Sequence, residues 1–88
     1  MEIPDNIKRY LDKKSLIRIW PAKPKDQMMI LQFLSDQFEL NRNYSEKEVN
    51  EILNKLHSFE DSALLRRELY MKEFINREPD GSKYWKTK

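Results

Sequence analysis

The sequence predicts an α+β domain in which three helices are closed by a C-terminal β-hairpin, with a short helix and a strand ahead of them. Three observations lead there. "YSEKEVNEILNKLH" carries a helix start signal and one apolar stripe. "SALLRRELYMK" follows it across a tight turn. "EPDG" then marks the tip of a hairpin near the C-terminus.

In chain order, "IPDNIKRYLD" spaces Ile3, Ile7, Tyr10 and Leu11 at helical intervals, and Pro4 suits a first turn, where its missing N–H costs little. "SLIRIW" is rich in branched and aromatic residues and reads as a strand closed by Pro21. Leu16, Arg18 and Trp20 point to one side of it, Ile17 and Ile19 to the other. "PAKP" is a stiff connector. A helix over 26–40 carries Gln27, Leu31, Leu34 and Phe38 on one stripe, with Met28, Ile30 and Phe33 beside it. So wide an apolar arc predicts deep burial, with methionines filling gaps in the core. Asn41 or Asn43, in the left-handed conformation, ends this helix. Asn43 and Tyr44 supply a short strand before the next one.

Ser45 is the expected N-cap of the second helix, with Glu48 three residues on to complete a capping box and Tyr44 and Val49 placed for a hydrophobic staple. Val49, Ile52, Leu53 and Leu56 form its buried face. His57 falls in the last turn, where partial negative charge favours the protonated ring at the surface. Ser58 with Asp61, or Asp61 alone, caps the third helix. There Leu65 and Leu69 face the core, Leu64 and Met71 lie on another side, and Arg66 and Arg67 take the remaining arc toward Ala63 and Tyr70. In the hairpin, Pro79, Asp80 and Gly81 make a three-residue loop, which pairs Arg77 with Lys83, Asn76 with Tyr84 and Ile75 with Trp85. Trp85 is then expected in the core, and two like charges oppose each other near the tip.

Composition bounds the function. The 88 residues suffice for one small domain. Apolar residues make up 39% and charged residues 36%, so long charged side chains must cover the rims of the apolar faces with their stems. There is no cysteine and one histidine, which excludes disulfides, thiolate chemistry and a multi-histidine metal site within the chain. Gly81 is the only glycine, so a glycine-rich phosphate loop is excluded as well. No catalytic spacing signature occurs, and neither an enzyme nor a cofactor is expected. No apolar run approaches ~20 residues and no secretory signal opens the chain, so a cytoplasmic protein without membrane contacts is expected.

Net charge is +2, but unevenly spread. Residues 1–26 carry seven Lys/Arg against four Asp/Glu, residues 27–65 three against seven, and residues 66–88 seven against four. If the basic ends meet in space, they form a face suited to an anionic partner.

Helix, tight turn, helix and hairpin is the order of a winged helix-turn-helix, with a three-helix core and "EPDG" as the wing tip. Residues 1–25 are then an N-terminal helix and strand extension, and residues 26–88 the winged-helix-like domain. From about Ile19 to Trp85 the chain also resembles the bacterial domain of unknown function 2087. The resemblance rests on "WPAKPK", "YSEKEVNEIL", "LLRREL" with its preceding Asp, and "NREPDGSKYW". Members of that family occur as small standalone proteins and attached to helix-turn-helix transcription regulators. The resemblance therefore implies a role in bacterial regulation, with the "YSEKEVN" motif on Tyr44 to Asn50 and the paired arginines on Arg66 and Arg67.

Two functions are weighed. As a DNA-binding regulator, the third helix would enter the major groove of duplex DNA, with Arg66 or Arg67 reading base or phosphate. Arg77 and Lys83 would contact phosphate from the wing, while Lys86, Lys88, Lys23 and Lys25 add salt-dependent attraction. A homodimer would double the basic area. Glu46, Glu48, Glu51, Glu60 and Asp61 oppose this reading. As a protein-contact module, Arg66 and Arg67 would instead pair with carboxylates such as Glu46 to Glu51, and Trp20, Trp85, Tyr70 and Tyr84 would serve as anchors. One arginine is expected to be structural and the other exposed.

Overall fold

Ser45 opens the best-defined helix. Its hydroxyl accepts the Glu48 N–H at 3.1 Å, and the Glu48 carboxylate accepts the Ser45 N–H at 2.9 Å, so two otherwise orphaned donors are satisfied reciprocally. This capping box starts α2 (Glu46–Asn54), and the residues flanking it, Tyr44 and Val49, are both buried. The computed structural model describes residues 5–87; the expectations placed on Ile3, Pro4 and Lys88 lie outside them. The expected N-terminal helix is a 3₁₀ helix over Asp5–Tyr10, followed by α1 (Pro24–Ser35), β1 (Asn43–Tyr44) and α2. After α2 come α3 (Ser62–Met71), β2 (Ile75–Arg77) and β3 (Tyr84–Lys86). The protein is α+β, and its small antiparallel sheet has the order β1-β3-β2.

"SLIRIW" does not form a strand. Asp12 Oδ1 accepts the N–H groups of Lys14 and Leu16, and Ser15 takes a positive φ of 64°, so the chain reverses at once. What remains of the expected strand is a pair of isolated bridges, Ile17 to Leu11 and Ile17 to His57. The Ile17 N–H donates to the Leu56 carbonyl at 2.9 Å, and the Ser58 N–H donates to the Ile17 carbonyl at 2.9 Å. Ile17 is fully buried, while Ile19 is exposed.

α1 ends five residues short of the expected boundary. The N–H groups of Gln37 and Phe38 bond three residues back, which tightens the last turn, and the Gln37 amide side chain donates to the Phe33 carbonyl. Asp26, Ile30, Leu31, Phe33 and Leu34 form its buried side; Met28 is exposed, and Met29 is the methionine that packs against the core. Phe38 then turns inward onto Tyr44, edge to face at 5.1 Å. Asn41 does take the left-handed conformation, with φ 61°, but in the loop beyond the helix.

His57 is buried between α2 and α3, not displayed at the surface. Its Nε2 accepts the Asp61 N–H at 3.0 Å, so the ring proton sits on Nδ1, which donates to the Leu53 carbonyl at 2.6 Å. An edge-to-face contact with Phe59 at 4.7 Å completes its packing. Asp61 alone caps α3, accepting the Leu64 N–H at 3.1 Å.

The hairpin closes one residue later than the three-residue loop predicts. The Glu78 N–H donates to the Lys83 carbonyl, leaving a four-residue loop over 79–82, with Gly81 at φ 77°. The register becomes Ile75 with Lys86, Asn76 with Trp85 and Arg77 with Tyr84. Because side chains alternate along a strand, the slip turns Tyr84 inward and Trp85 to the opposite face, where it is only half-buried. It also removes the expected opposition of Arg77 and Lys83.

The N-terminal segment packs into the same core as the rest. Ile7 and Ile17 join Ile30, Leu34, Leu53, Leu65, Leu69 and Tyr84 in one apolar cluster. Asp26, at the start of α1, accepts from the Tyr10 hydroxyl at 2.5 Å and from Arg9 Nη2 at 2.6 Å. The tyrosine hydrogen bond, with Arg9 adding to it, holds the Asp26 carboxyl below the usual carboxylate range.

Two outcomes are expected. A group whose pKa is depressed by folding stabilises the fold above its unfolded pKa of ~3.9 and loses that contribution as pH falls. Asp26→Asn therefore lowers stability at neutral pH and flattens the fall in urea midpoint between neutral and acid pH. Gly81→Ala places a side chain at positive φ and lowers unfolding free energy by about 1 kcal/mol, as measured by chemical denaturation.

Candidate functional site

Leu65 and Leu69 fix the rotation of α3 by facing the core. One position on, at ~100° around the helix, Arg66 is carried to the flank toward α2; a further step turns Arg67 outward. Arg66 Nη1 donates to Asn50 Oδ1 on α2 at 2.5 Å, and its Nη2 lies 3.7 Å from Glu46 Oε1. The Arg66 side chain is 21% exposed, so its stem is packed while its head reaches an edge. Arg67 is exposed, and among the described residues it has no carboxylate within 4.0 Å.

β2 approaches the same flank of α3. The Arg77 guanidinium lies over the Tyr70 ring, 5.0 Å from its centroid, a cation–π contact that aims the head beside α3. Opposite Arg77 across the ladder, Tyr84 is buried, and its hydroxyl donates to Glu46 Oε1 at 3.3 Å. The hairpin tip folds toward the same place: a Cβ on Gly81 would stand 3.5 Å from Arg77 Nη1 and 4.0 Å from Glu46 Oε1.

These groups enclose an open groove of about 230 Å³, lined by Ala63, Arg66, Arg67, Tyr70, Arg77, Tyr84 and Glu46. Three arginines from two elements thus line one concavity together with Glu46. The five candidate residues do not all meet there. Lys83 and Lys86 line a separate groove with Arg42, Asn43, Glu78 and Trp85. Lys86 is largely covered, its side chain 12% exposed and its ammonium 4.0 Å from Asp36. Lys23 and Lys25 line a third groove with Arg9 and Asp26 at the start of α1. This third groove shares no lining residue with the two beside the hairpin.

The pairing of Arg66 with α2 matches the expectation of one structural and one exposed arginine. Its main partner, however, is the neutral Asn50 and not a carboxylate. Asn50 carries no sequence signal beyond its i, i+4 spacing from Glu46 on one face of α2. Tyr70, 39% exposed, lines this groove, and Met71, 61% exposed at the end of α3, lines another with Tyr70, Glu73, Ile75, Asn76 and Thr87. No described helix is long and apolar enough to cross a membrane.

An arginine groove between a capped helix pair and a hairpin, on an α+β core with a three-stranded antiparallel sheet, defines the class of molecule. The chain belongs to a bacterial family: residues 16–86 match the family described as "Uncharacterized protein conserved in bacteria (DUF2087)". No curated protein and no solved structure matches the chain.

The different surroundings of the two adjacent arginines have a measurable consequence. Arg66→Ala removes a hydrogen bond between α2 and α3 and lowers unfolding free energy by about 1–2 kcal/mol. Arg67→Ala stays within about 0.5 kcal/mol of wild type. Paired denaturation curves of the two variants read the difference.

Proposed function

We propose that the protein binds duplex DNA through α3 and the β2–β3 hairpin, as a small bacterial transcription regulator of the winged-helix kind. The observation that carries this reading is the meeting of Arg66, Arg67 and Arg77 around one groove, contributed by a helix and a hairpin that follow each other in the chain. Arginine presents a planar fork of donors matched to phosphate and to guanine edges. Arg67, exposed on α3, is the group placed to read a base or clamp a phosphate, and Arg77 supports it from the hairpin. Lys83, exposed at the base of the hairpin loop, adds backbone contacts from the neighbouring groove. Lys86, mostly covered, contributes less.

Acidic residues near α3 weigh against the reading less than their number suggests. Asp61 already accepts the Leu64 N–H as a cap, and Glu48 is engaged in the capping box of α2. A two-fold dimer would present two copies of α3 to successive half-sites. The reading involves no catalytic step and no cofactor.

A second reading, protein contact through the end of α3, is favoured by the exposed Tyr70 and Met71 there, since aromatic and methionine side chains are enriched at interface centres.

Titration of a labelled duplex at low and moderate salt separates the two. Under the DNA reading, affinity falls steeply with salt, and the double variant Arg67→Ala/Arg77→Ala, which leaves Arg66 in place, lowers the slope of log K against log salt by about 2. Absence of salt-sensitive binding at low salt favours protein contact.

A further inference from the structure

Glu46 is the anomaly in the arginine groove. It is the first residue of α2 and the one carboxylate among the lining side chains, yet it is held loosely. Its contacts, 3.3 Å from the Tyr84 hydroxyl and 3.7 Å from Arg66 Nη2, are both at or beyond the long end of charge-assisted hydrogen bonding. Its side chain is 52% exposed. The capping work at this helix start is done by Ser45 and Glu48, so α2 does not need Glu46 to begin. Arg66, meanwhile, is held in place by Asn50 whether or not Glu46 is there.

From this arrangement we infer that the groove is a phosphate subsite whose resident occupant is Glu46. The carboxylate stands where a phosphate oxygen would stand, within reach of Arg66 and the Tyr84 hydroxyl, with Arg77 brought alongside by the turn at Gly81. An incoming phosphate displaces it outward into solvent, and the guanidinium groups exchange one oxyanion for another without rearranging their own supports. Glu46 therefore sets a threshold: it screens the arginines from weak anions and yields to a phosphate that engages several of them together. The inference deepens the DNA reading and takes its natural ligand, the backbone phosphate, from it; free phosphate is the other source of the same chemistry.

The test uses the full chain as wild type, Glu46→Gln, Glu51→Gln and the double variant Glu46→Gln/Arg77→Ala. Glu51 is exposed on the same helix and outside the groove, so its substitution makes the same change in net charge. Each protein is titrated with labelled duplex at low salt, and separately with inorganic phosphate while the arginine side-chain NMR signals are followed. Glu46→Gln is expected to tighten duplex binding about three- to fivefold, Glu51→Gln less than about twofold, and the gain is expected to vanish in the double variant. Inorganic phosphate is expected to shift the Arg66 and Arg77 signals in wild type, and to do so at lower concentration in Glu46→Gln. If none of the four proteins binds duplex while phosphate still shifts those signals more readily in Glu46→Gln, the DNA reading falls and the subsite stands, with free phosphate as its ligand. Should Glu46→Gln unfold, the wild-type phosphate titration decides alone. Equal effects of the two Glu→Gln changes on duplex, with no selective response of Arg66 and Arg77 to phosphate, overturn the inference.

Discussion

The inward placement of Tyr84 is the constraint on which the rest of the arrangement depends. β3 is the central strand of the sheet, so Tyr84 faces Tyr44 on one side and Arg77 on the other. Its ring fills the core and its hydroxyl reaches Glu46 at the start of α2. A slip of one residue would turn it to solvent and drive Trp85 inward, reversing every side chain of the strand. The four-residue loop prevents this by closing on Glu78 and Lys83, and it thereby sets Arg77 beside Tyr70 of α3. The geometry of the arginine groove is thus a consequence of core packing, not of any attraction among its charges.

The other end of the molecule is fastened by different means. Ile17 inserts into the core and exchanges backbone hydrogen bonds with the connection between α2 and α3. His57, bonded through both ring nitrogens, stiffens that connection from inside. Arg9 and Tyr10 meet on Asp26 and tie the leading 3₁₀ helix to α1. A chain of 88 residues buries a limited fraction of its surface, so fully buried residues such as Ile7 and Ile17 are a substantial share of the core.

Charge in this protein is a matter of location more than of amount. A net charge of +2 implies little attraction for a polyanion, yet it averages over a groove lined by three arginines and one glutamate. Within that groove the roles diverge by environment: Arg66 is bound to Asn50, Arg77 rests on an aromatic face, and Arg67 reaches into water.

What the sequence determined by itself was much of what short-range chemistry governs. The capping box at Ser45, the cap at Asp61, the inward stripes of α2 and α3, the short strand at Tyr44 and the turn at Gly81 all follow from residues within a few positions of one another, where local hydrogen bonds and helical spacing decide the outcome. So did the α+β class and the membership of a bacterial family. The tertiary structure alone decided matters in which local hydrogen bonds compete with packing between distant parts of the chain. "SLIRIW" has strand-like residues but finds no ladder, because Asp12 captures its neighbours' N–H groups and the sheet is completed by β1. His57 is buried because the Asp61 N–H and Leu53 carbonyl satisfy it there, whereas its position in a last turn indicates a surface site. The hairpin register was settled by which of Tyr84 and Trp85 fitted the core, and the packing of α3 on α2 gave Arg66 a partner while leaving Arg67 exposed. Local chemistry chooses the elements; only the three-dimensional arrangement chooses which of their side chains meet, because that choice is made by close packing among residues far apart in the chain.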